Sequence, residues 1–120
     1  MTLSPIVVEY INLLLTRVPE LQPTYDKHIR DNDELLPHVF FGDVTRYVVQ
    51  QVRSGKTDSL ISVEHILRVL EQYAVSGNEY AEELIAVSFI ENLVEYDDVL
   101  AGLKGLIGPN LQTMLRNYGL

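Results

Sequence analysis

The side chains in this chain that do chemistry elsewhere are three histidines, one Asp–Arg pair and three groups of carboxylates. His28, His38 and His65 stand far apart, with no HExxH and no histidine pair at metal spacing. Each reads as a surface or half-buried polar group. A catalytic reading takes His38 as base and Asp43 as the group that orients it. Five residues separate them, which sets them about 140° apart around a helix and does not favour that pairing. Asp43 and Arg46, three apart, make an ordinary intrahelical ion pair. Gly102, Gly105 and Gly108 recur every three residues, but a phosphate-binding loop needs a preceding strand and none is predicted. Carboxylates near Glu91 do acid–base work only inside a cleft. Cysteine is absent, which excludes disulfides, thiolate metal sites and cysteine nucleophiles. The sequence therefore predicts no enzyme: no catalytic residue, no cofactor and no metal.

The carboxylates remain. They group as Asp31, Asp33 and Glu34 with Asp43, as Glu79, Glu82 and Glu83, and as Glu91, Glu95, Asp97 and Asp98. One reading is helix caps and solvated faces, since a helix start favours acids through its dipole. The other is a surface that meets lysines and arginines of a partner. On that reading the candidate partner-binding residues are Asp31, Asp33, Glu34, Asp43, Glu91, Glu95, Asp97 and Asp98. Seventeen acidic residues against nine basic ones leave a net charge of −8. The basic residues are scattered singly, so a nucleic-acid backbone would be repelled. Seven tyrosines without a tryptophan add possible interface anchors, although Tyr10, Tyr47 and Tyr73 fall on apolar faces.

Helices must position these acids. The 120 residues are 47% hydrophobic, which predicts one domain over 1–120 with one core. No apolar run approaches the roughly 18–20 residues of a membrane span. The segment MTLSPIVVEYINLLL has no basic start and is broken by Glu9 and Asn12, so it reads as a helix of the mature fold. No period-two alternation supports strands. Ser4 and Pro5 open a first helix to about Arg17, with Ile6, Tyr10, Leu13 and Leu14 on its face. Pro23 opens a short helix to about Arg30, burying Tyr25 and Ile29, and Asp31-Asn32-Asp33 breaks it. A third helix starts at Pro37 and stops at Gly55, with Leu36, Val39, Phe40, Val44, Tyr47, Val48 and Val52 on one face. Gly42 inside it costs about 1 kcal/mol against alanine, and marks close packing or a kink. After a polar KTDS loop, Ser62 caps a helix to about Val75 through Val63, Ile66, Leu67, Leu70 and Tyr73. Asn78 caps the next, to about Val94, carrying Leu84, Val87, Phe89, Ile90 and Leu93. Asp97 caps a short helix through Leu106 with Leu100 and Leu103; Gly108 ends it, and Pro109 opens the last with Leu111, Met114, Leu115 and Tyr118. The expected fold is all-α, a compact bundle or short stack of about six to seven helices.

The stretches DNDELLPHVFFGDVTRYV at 31–48, EELIAVSFIENL at 82–93 and GLIGPNLQTML at 105–115 resemble small bacterial immunity proteins of contact-dependent inhibition and polymorphic toxin systems. The resemblance implies a cytoplasmic protein that binds a cognate toxin domain one to one and blocks its active site or an essential surface. Many such toxins are nucleases with basic grooves, which an acidic inhibitor imitates as a phosphate backbone does. No nucleic acid and no membrane partner is expected. Contact residues do not transfer from the resemblance, because such families vary most where they bind. The alternative function is a helical adaptor that binds a peptide or partner helix, with homodimerisation around Phe40 and Phe41 as its related form.

Overall fold

The computed structural model describes residues 4–119; Met1–Leu3 and Leu120, the ends of the expected 1–120 domain, lie outside the described residues. The fold is all-α, with no strand among the described residues. The helices are α1 (Pro5–Arg17), α2 (Gln22–Asn32), α3 (Pro37–Ser54), α4 (Thr57–Tyr73), α5 (Glu79–Ile85), α6 (Glu91–Leu93), α7 (Asp97–Leu103) and α8 (Pro109–Arg116). A 3-10 turn, Pro19–Leu21, joins α1 to α2. A π turn, Ala86–Ile90, joins α5 and α6 into one continuous rod, so seven helical rods pack together among the described residues.

Helix α3 is the centre. It packs against α2, α4, α7 and the α5–α6 rod, while α1 and α8 close over α4. Enclosure on several sides widens its buried arc beyond a single stripe. The expected face is turned accordingly. Phe40, Phe41, Val44, Thr45, Val48 and Val49 are buried, Tyr47 and Val52 are half-buried, and Val39 is 46% exposed. Phe40 and Phe41 are fully buried within the chain, which removes them as a dimer contact. In α1 the same rotation buries Val7 and Ile11 with Tyr10 and Leu14, and leaves Ile6 and Leu13 half-buried. In α2 the buried residue is His28, whereas Tyr25 and Ile29 are half-buried.

The starts and stops follow local chemistry. Proline opens α1, α2, α3 and α8, where its missing donor has no intrahelical partner to lose. Gly55 ends α3 in the left-handed region at φ 66°, and Asp33 ends α2 at φ 60°. Helix α4 begins at Thr57, not near Ser62. Asp58 sits favourably in its first turn, and Ser62 lies within the helix and donates to Glu20 at 3.1 Å. Asn78 caps α5 as expected, accepting from the Ala81 amide at 3.0 Å, and Glu82 accepts from the Gly77 amide at 2.8 Å. The N-terminus of α8 is capped from another helix. The Glu71 carboxylate of α4 accepts from the amides of Asn110 at 2.6 Å and Leu111 at 3.0 Å. A Cβ on Gly108 would stand 2.5 Å from the Glu71 carboxyl carbon, so glycine there makes room for the cap.

The π turn resolves a register conflict. Ala81, Leu84 and Ile85 face the core before it; Phe89, Ile90 and Leu93 do so after it. One extra residue keeps both apolar sets inward. It turns Val87, an expected core residue, out to 41% exposure. The Ser88 carbonyl in this turn accepts from Thr45 Oγ1 at 3.1 Å and Asn92 Nδ2 at 2.9 Å.

Candidate functional site

On the outer side of α3, Asp43, Arg46, Gln50 and Arg53 recur at three- and four-residue spacing and form one polar stripe. On one flank lies α2. Between them is a groove of about 570 Å³, lined by Lys27, His28, Asp31 and Asn32 from α2 and Asp43, Arg46, Tyr47 and Gln50 from α3. Asp31 pairs with Lys27 at 2.5 Å, and that hydrogen bond holds its carboxyl below the usual range. Asp43 pairs with Arg46. The His28 ring forms part of the groove wall. Its Nε2 accepts from the Leu36 amide at 3.0 Å, and its Nδ1 lies 3.3 Å from Asn32 Nδ2 and 3.6 Å from Asp43 Oδ2. This imidazole ties the start of α3 back to α2.

On the other flank lies the α6–α7 corner. A notch of about 140 Å³ is lined by Gly42, Thr45, Arg46, Asn92, Glu95 and Tyr96. Arg46 borders both hollows, so they form one surface. Further along, Arg53 donates to both oxygens of Asp98 at 3.0 and 3.2 Å and lies 5.3 Å from the Tyr96 ring centre. The Arg53 hydrogen bonds hold the Asp98 carboxyl below its usual range.

The eight carboxylates singled out in the sequence thus divide. Asp31, Asp43 and Asp98 are matched by the chain's own cations. Asp33, Glu34, Glu91, Glu95 and Asp97 are exposed and lie within ion-pair distance of no described basic group. Asp33 and Glu34 sit in the turn after α2; Glu91, Glu95 and Asp97 cluster on the α6–α7 corner. Burial raises the Tyr118 hydroxyl pKa, as does the neighbouring charge of Glu91.

The structure does not bring His38 to Asp43. His38 Nδ1 lies 2.5 Å from Ser88 Oγ in the π turn, and its ring meets Tyr80 edge-on at 5.8 Å. The imidazole beside Asp43 is instead His28, which sequence spacing had no means of selecting from α2. Ser88, a lone hydroxyl within an apolar run, was the one available signal that a polar contact lies under this rod. Among the described residues no three His, Cys, Asp or Glu side chains gather at metal-binding distance.

No helix in the described residues is long and apolar enough to cross a membrane. A family model described as "Domain of unknown function (DUF7674)" matches residues 11–118, and the chain belongs to that family. No curated protein and no solved structure matches it.

Proposed function

We propose that this DUF7674 chain is an immunity protein. It acts in the cytoplasm, binds a cognate toxin domain one to one, and covers that domain's active site or substrate groove with an acidic surface. The observation that carries this reading is the segregation of charge. The chain matches Asp31, Asp43 and Asp98 internally, yet leaves Glu91, Glu95 and Asp97 together and unmatched on one corner. Within a chain of net charge −8, these three unmatched carboxylates steer a basic partner toward that corner. A nuclease is the natural target, because its substrate groove must itself be basic. The resemblance of residues 31–48, 82–93 and 105–115 to immunity proteins supports the same partner class.

The test is protection. If a secreted protein is encoded beside this gene, its C-terminal domain is expressed in cells with and without the chain. Survival with the chain, and a one-to-one complex by light scattering, is the expected outcome. Cell death in both conditions sinks the immunity reading.

A further inference from the structure

Three exposed large apolar side chains, Tyr80, Val87 and Tyr118, belong to the α5–α6 rod or rest against it. Two contacts hold these rings against the rod. The Tyr118 hydroxyl donates to the Ala86 carbonyl at 3.3 Å. Tyr80 packs edge-on against His38, which is bonded to Ser88 at 2.5 Å. The π turn leaves Val87, between Ala86 and Ser88 in the chain, turned outward. Glu79, Glu83 and Glu91 are exposed along the same rod. An apolar centre built from tyrosines, framed by charge and ordered before contact, is the anatomy of a protein interface. Rings already held in place lose less conformational entropy on binding.

We propose that Tyr80, Val87 and Tyr118 are the anchor strip of the partner interface, and that they receive an apolar side chain framed by lysine or arginine on the partner. Charge complementarity selects this occupant: carboxylates frame the strip, and none of the ion pairs found involves Glu79, Glu83 or Glu91. The inference rests on the partner-binding reading above, but not on the partner being a toxin.

The probe is a synthetic amphipathic peptide with leucines on one face and lysines on the other. Its control has the same length and charge, with serine in place of leucine. Each is titrated into the isotope-labelled full chain and followed by amide chemical shifts. The leucine peptide should perturb residues 80–91 and 118 first and bind about tenfold tighter than its control. A Tyr80→Ser/Val87→Ser/Tyr118→Ser variant should lose that advantage. Val87→Ser alone, at an exposed position, should lose part of it if the triple variant does not fold. Equal binding of the two peptides, shifts centred on Asp31 and Asp43, or an unaffected folded variant would overturn the strip. The toxin assay separates the two claims. A toxin domain neutralised equally by wild type and variant removes the strip and leaves the immunity reading. A strip that takes the peptide in a chain that protects no cell retains the strip and removes the toxin.

Discussion

The α2–α3 groove and the α6–α7 corner contain the same kind of residue and present different fields, cancelled in one and negative in the other. In the groove, Asp31 and Asp43 each have a cation one helical turn away, Lys27 and Arg46. On the corner, Glu91, Glu95 and Asp97 have none among the described residues, and only Asp98 is matched, by Arg53. A carboxylate and a cation one helical turn apart together add little to the field at a partner's distance. One without such a cation adds its full charge, screened over about 8–10 Å at physiological salt. Net charge therefore says how much field exists, and pairing says where it acts.

The largest expected effect tests that distinction directly. Reversing Glu91, Glu95 and Asp97 to lysine should slow association with a basic partner by about 10- to 100-fold at low salt. Removing both members of each groove pair, as Lys27→Gln/Asp31→Asn/Asp43→Asn/Arg46→Gln, should slow it far less, because each pair is neutral as a unit. Stopped-flow association rates at two ionic strengths measure both. If the groove variants slow binding as much as the corner variants, pairing does not decide where the field acts and the comparison fails.

Much of the fold was legible in residue types. Prolines, Asn78 and Gly55 act through backbone geometry within one turn, so they are readable without tertiary context. The departures are tertiary. The start of α4 at Thr57 needed no strong cap, because the packed Val63–Ile66–Leu70 face carries the helix. The π turn leaves no signature in residue types, since it settles a register conflict that exists only once both halves of the rod meet the core. The acids were legible as a list, but not as matched and unmatched sets. Arg53 and Asp98 lie far apart in sequence and meet only through the packing of α7 on α3.

The corner also depends on α8, which carries Tyr118 to the rod. Gly108→Ala would drive a methyl into the Glu71 carboxylate and break its two bonds to the α8 amides. A loss of about 2 kcal/mol in urea unfolding is expected, since a lost cap and unsatisfied donors add. Glu71→Gln should cost less, because one amide oxygen still accepts. An unaltered Gly108→Ala midpoint would show that α8 docks without this cap.

Between the two regions, Gly42 is a position where stability should rise. A Cβ there meets Arg46 and Asn92 side-chain nitrogens at 3.8–3.9 Å, which is ordinary contact. Gly42→Ala should stabilise the chain by about 0.5–1 kcal/mol, from helix propensity alone. A shift of the urea midpoint the other way would mean that α3 and Asn92 approach more closely in solution, coupling groove and notch.

The smallest effect concerns the matched acids themselves. Asp98 has its carboxyl lowered by Arg53, and Asp31 by Lys27, both from the ordinary 3.8. A group whose folded value is depressed contributes stability above its unfolded value, and that contribution is lost as pH falls through the folded one. The window therefore opens below about pH 4. Both pairs are exposed, so the contribution is small and screened by salt. Asp31→Asn/Asp98→Asn should shallow the loss of thermal stability on the acid side at low salt, and the difference from wild type should vanish at about 1 M salt. Identical acid limbs at low salt would mean that the pairs set only where the field is cancelled, without adding to stability. The contrast between groove and corner would then be purely one of partner selection.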